Sequence, residues 1–253
     1  MIIELEGLAP AAEEGWATLF DLNEADSTSC LLVGGQMMHL LSVEHAAPAV
    51  RPTDDVDVVV DVRTRPQGTR WLATWLQERG FALEGSNPDQ IGHRFVRPAT
   101  GGPGKVIVDV LGPEGLGPRA SLVTVPPNRT VQVPGSVQAL RRSRGVTVRI
   151  SGLVGRPPRL GTVRCPNLLG ALVGKAAATA IAVRTNPDRD WQDAALLLSV
   201  IPDPIATAQE CDDKDRQRLR LLRPLESPAH RGWRNLDTAS RAKGMAALSF
   251  LIR

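Results

Sequence analysis

The sequence predicts an α/β (α+β) core with a mixed sheet in its N-terminal part, followed by a mainly helical C-terminal part. Three observations predict it. Short runs rich in β-branched residues, such as Val56–Val60 and Val106–Leu111, alternate with segments of helical periodicity in the first part of the chain. Beyond Pro166 those runs cease, and apolar residues recur at helical spacing as far as Ile252. At 253 residues the chain can hold one large core or two modest ones. The change of pattern divides it into residues 1–165 and 166–253.

Leu8–Ala25 places Trp16, Leu19 and Phe20 at i, i+3, i+4, an amphipathic helix that covers the sheet. Asp26–Ser29 turns into a strand at Cys30–Val33, which ends on Gly34 and Gly35. A helix over Gln36–Val43 and a loop held open by Pro48 and Pro52 lead to the strand Val56–Val60. Gln67–Gly80 is a helix with Trp71, Leu72, Trp75 and Leu76 on one side and Gly80 as its stop. Phe81–Leu83 starts a short strand, and Ile91–Val96 and Val106–Leu111 flank ATGGPGK as a hairpin. From Gly112 to Pro166 the chain is rich in Pro and Gly, with strand-like pieces at Leu122–Val125, Thr130–Val133 and Val146–Ile150 and a short helix in SVQALRRSRG. Pro166 opens a helix over 167–184 whose Gly170, Ala171, Gly174, Ala177 and Ala178 allow close packing. Pro204–Arg253 reads as two or three helices, with a basic stretch at Lys214–Arg223 and a final helix at Leu236–Ile252.

Composition narrows the function classes. There is no Tyr and only four Phe, so Leu, Val, Ala and Ile must build the core. Cys30, Cys165 and Cys211 are odd in number, far apart and without a CxxC, which points to reduced thiols in the cytoplasm rather than disulfides or zinc. None of the four histidines has metal-ligand spacing. The first fifteen residues carry four Glu and no base, unlike a secretory leader. No apolar run is long enough to span a bilayer, so no membrane partner is expected. Net charge is only +3, but residues 115–187 hold 11 bases and no acid. Arg141, Arg142, Arg144, Arg149, Arg156, Arg159 and Arg164 concentrate there, a positive field suited to polyphosphate or nucleic acid.

The chemistry centres on residues 31–61. Asp55 and Asp57, two apart at the start of a strand, put both carboxylates on one face. Like charges held together have a physical reason in a hard divalent cation such as Mg²⁺, which takes oxygen ligands and is shared with substrate phosphates; the alternative is a solvent-facing strand edge. Glycines between a strand and a helix let backbone N–H groups approach phosphate. Asp109 lies within the apolar strand VIVDVLG, where a carboxylate needs a partner, a metal or water. Lys175 is the only cation in the body of its helix. Asp190 and Asp193 share a face if their segment is helical.

GGQ at 34–36 followed by RPTDDVD at 51–57 resembles the nucleotidyltransferase superfamily related to DNA polymerase β, and more narrowly its AbiEii/MenT-like branch, mostly toxins of bacterial toxin–antitoxin pairs. The resemblance implies a nucleotidyltransferase core with a basic β-rich extension over 1–165. It implies Mg²⁺-dependent transfer of a nucleoside monophosphate from an NTP, with Asp55, Asp57 and Asp109 around two metal ions and Asp109 also helping to deprotonate the acceptor hydroxyl. Gly34, Gly35 and Gln36, with Thr53, would cradle phosphate. Lys175 would neutralise the leaving group, and Arg189, Asp190 and Asp193 match a nucleotide-binding RxxxKDxxD-like run that starts at Arg184. The implied partners are the NTP, an RNA acceptor such as the 3′ end of tRNA, and a cognate antitoxin. Two other readings stand beside it: a small-molecule, antibiotic-type nucleotidyltransferase, which would want an acidic acceptor pocket, and a non-catalytic RNA-binding module on the same fold.

Overall fold

The computed structural model describes residues 1–48, 53–152, 157–181 and 188–253. Arg51, Pro52, Arg156 and Arg184 lie outside the described residues. The chain forms two compact units, one of Met1–Glu44, Val50–Val133 and Ser143–Cys165, the other of His45–Ala49, Pro134–Arg142 and Pro166–Arg253.

The first unit holds strands β1 (Ile2–Leu5), β2 (Cys30–Val33), β3 (Asp55–Val60), β4 (Ala82–Leu83), β5 (Arg94–Pro98), β6 (Lys105–Pro113), β7 (Gln132–Val133), β8 (Ser143–Ile150) and β9 (Arg159–Pro166). Its helices are α1 (Pro10–Ala25), α2 (Gly34–Glu44) and α3 (Gly68–Gln77). The main sheet runs β2-β3-β6-β5-β4, with β7 added on β6. β3 and β6 are parallel, whereas β2/β3, β5/β6 and β4/β5 are antiparallel, so the sheet is mixed.

The alternation of β3 decides which face is which. Val56, Val58 and Val60 are fully buried on one side. Helix α1 lies against that side at Val56, where a Cβ on Gly15 would come within 2.9 Å of the valine, and α3 meets Val60 through Gly68. Asp55 and Asp57 take the other side, which deepens from Asp55 near solvent to the buried Val59. Leu72 and Leu76 of α3, with Phe95, Val108 and Val110, complete the core without tyrosine.

Glu14 of α1 ties the β5–β6 turn down. It accepts from the backbone N–H groups of Thr100 and Gly101, from the Thr100 hydroxyl and from Arg97. Burial raises its pKa, but these donors outweigh burial and hold the carboxyl below its usual range. Asp26 shapes the turn into β2 in the same way, accepting from Thr28, Ser29 and Arg65, and its carboxyl is held well below the carboxylate range despite burial.

A second sheet, β1-β8-β9, corrects the sequence expectation. Neither β1 nor β9 is legible as a strand in the sequence. β1 pairs in parallel with β8, Ile3 opposite Val148, more than 140 residues along the chain. No local turn signal announces such a pairing. Conversely, Leu122–Val125 forms no strand: Val123 makes an isolated bridge to Arg129, and the Thr124 hydroxyl donates to Gly92 instead.

The second unit is helical: α4 (Ser136–Arg141), α5 (Leu168–Ala178), α6 (Asp188–Ser199), α7 (Pro204–Gln209), α8 (Asp213–Leu219), two 3₁₀ segments and α9 (Thr238–Leu251). Asn167 caps α5 by accepting from Gly170 N–H. The small residues of α5 let α4 approach closely; a Cβ on Gly135 would lie 2.8 Å from Gly174 Cα. Pro134–Arg142 therefore packs with the helical unit, although the sequence division at 165 groups it with the strands. Trp233 anchors the unit's core, fully buried with its indole N–H donating to Leu225 O.

Candidate active site

Four side chains form the centre of the site, and three of them lie in one row. Across adjacent strands Asp57 of β3 is the register partner of Asp109 of β6, and Asp109 is the register partner of Arg94 of β5. Paired residues in neighbouring strands share a face, so Asp57, Asp109 and Arg94 stand side by side. Asp55, two residues before Asp57, is one step along the same face.

Arg94 is the residue that sequence reasoning passed over. Its Nε donates to Asp109 Oδ1 at 2.9 Å and its Nη2 to Asp109 Oδ2 at 2.7 Å, a two-point fork. The same Nη2 reaches Asp55 Oδ2 at 3.1 Å. Its hydrogen bonds to Asp109 push the guanidinium above its already high pKa, so it is a permanent cation. The available signal was the buried acid itself: Asp109 demands a partner, and the next strand of the hairpin must supply the residue opposite.

The turn beneath this row explains the paired glycines. Strand β2 passes directly into α2, and Gly34 takes φ +69, which favours glycine. A Cβ there would fall 1.7 Å from Asp57 Oδ2, so the missing side chain is what makes room for the carboxylate. At Gly35 a Cβ would press on Thr53, 2.7 Å from its Cγ2. The first N–H groups of α2 have no intrahelical acceptors, as at any helix start.

The Gln36 side chain has a role of its own. It is 1% exposed, accepts from Trp16 Nε1 at 2.9 Å and donates to Thr53 O at 2.7 Å. The amide is an internal brace between α1, α2 and the segment before β3, and so is not a phosphate contact. Only the Gln36 backbone remains for that role.

Arg94 bears on the metal expectation. Asp55 and Asp57 offer carboxylate oxygens on one face, a donor set that suits a hard divalent ion completed by phosphate oxygens. Asp109 does not fit as a third ligand in this arrangement, because Arg94 hydrogen-bonds to both its oxygens. Among the described residues no group of three or more His, Cys, Asp or Glu is arranged to hold a metal ion.

The second unit carries its own charge cluster. Lys175 Nζ lies 2.7 Å from Asp193 Oδ2 and 3.7 Å from Asp190 Oδ1, and all three side chains are at most 9% exposed. Helix α6 begins at Asp188, so Asp190 and Asp193 are one turn apart and both reach the lysine on α5. Arg189, in the same first turn, is half-buried.

The acid-free stretch does not remain a bare positive field. Arg144 pairs with Glu44, Arg149 with Glu4 and Arg159 with Asp21 inside the first unit. Inside the second, Arg141 pairs with Asp212 and Arg142 with the fully buried Asp215. With no acid in residues 115–187, each partner comes from elsewhere in the chain. The count of arginines therefore overstates the field that Arg141, Arg142, Arg144, Arg149 and Arg159 present.

No protein-family model matches the chain, and no curated protein does. A solved structure is similar: an antigenic nucleotidyltransferase-like protein from Paracoccidioides brasiliensis, with TM-score 0.50 and 16% sequence identity, covering 84% of this chain and 90% of that one. The fold is nucleotidyltransferase-like: a mixed α/β N-terminal part and a helical C-terminal part.

Proposed function

We propose that the protein is a nucleotidyltransferase that moves a nucleoside monophosphate from an NTP to an acceptor hydroxyl and releases pyrophosphate. One observation carries the reading: in a nucleotidyltransferase-like fold, Asp55 and Asp57 share a strand face with the glycine turn of α2 directly against Asp57. Asp55 and Asp57 would hold Mg²⁺, which when bound supplies a Lewis acid and neutralises phosphate charge. The α2 N-terminus, through the backbone N–H groups of Gly34, Gly35 and Gln36, would take up phosphate oxygens. Thr53 keeps that turn in place by packing on Gly35 and accepting from Gln36. Asp109, held by Arg94, positions the row. The nucleotide-binding roles of Lys175, Arg189, Asp190 and Asp193 in this reading rest on the resemblance alone; within the second unit Lys175 pairs with Asp190 and Asp193.

The acceptor in this reading is an RNA 3′ end, that of tRNA first, and the biological role is a toxin of the AbiEii/MenT-like kind countered by an antitoxin. The resemblance of the motif order supports this; the paired arginines do not contribute. Incubation with each α-labelled NTP, total RNA and Mg²⁺ tests it. The expected result is Mg²⁺-dependent label in RNA, absent with Asp55→Asn. Label transferred only to added aminoglycosides would favour the small-molecule reading, and no transfer from any NTP would favour a non-catalytic module.

A further inference from the structure

We propose that Arg94 is a built-in cation of the carboxylate row, standing in for a second metal ion so that the site recruits a single divalent ion. The inference rests on the nucleotidyltransferase reading above and goes beyond it by setting the metal count. Arg94 is placed by strand register: it lies directly opposite Asp109 in the β5/β6 pair. Its fork engages both Asp109 oxygens, and its Nη2 continues to Asp55, so the guanidinium spans the diagonal that flanks Asp57. A planar fork of this kind matches a carboxylate in a way that a hydrated point charge does not.

The environment makes the arrangement lasting. Asp109 is 8% exposed in an otherwise apolar strand, where an unpaired carboxylate would be costly. A divalent ion bound to Asp109 would have to displace a cation that already hydrogen-bonds to both oxygens and would sit beside its charge. Asp55 is different. At 36% side-chain exposure it meets Arg94 by one longer bond and keeps its outer side toward solvent. Arg94 is thus a positioning residue: it fixes Asp109 and one edge of Asp55, and leaves the outer part of the row for the one ion.

The test counts ions on the full chain without nucleotide. Bound Mn²⁺ is measured by electron paramagnetic resonance during MnCl₂ titration, and thermal unfolding is followed with and without Mn²⁺. Wild type should bind one ion, lost with Asp55→Asn. Arg94→Gln should bind two, and Mn²⁺ should raise its Tm by several degrees more than that of wild type, because an ion now answers Asp109. Arg94→Gln/Asp109→Asn, neutral on both sides, should return to one. Two ions in wild type, one in folded Arg94→Gln, or two in the double variant would overturn the built-in cation and leave the metal reading standing. If Arg94→Gln unfolds without metal, absence of rescue by Mn²⁺ overturns the proposal equally. No Mn²⁺ bound to wild type, or binding indifferent to Asp55→Asn, would sink the metal reading and this inference with it.

Discussion

In the first unit Asp55, Asp57 and Asp109 share a sheet face with Arg94, and Asp55 and Arg94 each keep more than a third of their side-chain surface exposed. In the second, Lys175 meets Asp190 and Asp193 with every side chain at most 9% exposed. Exposure separates what the two clusters can do. At the edge of the row an acid can exchange a protein or water contact for a metal ion at little cost to the fold. In the helical cluster the charges are withdrawn from water, so deleting one removes a partner that water cannot replace. Substitutions in the first should therefore register in chemistry with little loss of stability, and those in the second should cost stability whatever they do to chemistry.

The largest effect is expected at Asp55 and Asp57. Either Asp→Asn variant keeps the side-chain volume and should lower NTP transfer about a thousandfold. The Tm should stay within a few degrees of wild type. Near-wild-type turnover in the double variant would break the comparison at its first member.

Lys175→Met comes next. Removing the ammonium leaves Asp190 and Asp193 without their lysine, so unfolding free energy should fall by about 3–5 kcal/mol. On the proposed role the transfer rate should also fall about a hundredfold. Lys175→Met/Asp193→Asn sharpens the point, because it should recover much of the stability without recovering the rate. Recovery of both would make Lys175 a purely structural residue.

Glu14 gives a smaller effect and a pH signature. Its folded pKa is depressed, so its contribution is fully present above the unfolded carboxylate pKa and is lost as pH falls through the folded value. Glu14→Gln should cost about 1–3 kcal/mol at pH 7, the value of a charge-assisted hydrogen bond. The difference from wild type should shrink below about pH 4 in acid unfolding curves. A constant difference across that range would mean that packing, and not charge, holds the turn.

The smallest effect separates two neighbouring arginines. Arg141 and Asp212 form an exposed pair, and Arg141→Gln should change stability by no more than about 1 kcal/mol. It should also leave the salt dependence of RNA binding unchanged. Arg142, paired with a carboxylate of no exposure, belongs instead with Lys175 in its cost. A reduced salt slope for Arg141→Gln would restore part of the electrostatic track.

The sequence by itself determined the alternation of the Asp55–Val60 strand, the glycine turn at Gly34 and Gly35, the hairpin around ATGGPGK and the helical character beyond Pro166. These follow from local causes: a period of two or 3.6, a residue without Cβ, a run of turn formers. Tertiary structure alone decided the rest. The sheet β1-β8-β9 exists because an N-terminal tetrapeptide finds a strand more than 140 residues away, and sequence separation conceals such pairing. Arg141, Arg142, Arg144, Arg149 and Arg159 look like a positive surface until folding brings Asp212, Asp215, Glu44, Glu4 and Asp21 to them. Arg94 is one more arginine in GHRF until register sets it opposite Asp109. Local pattern says which way a side chain points; only the fold says which charge it meets there, and at these distances the partner decides whether an acid binds metal, braces a helix or is simply neutralised.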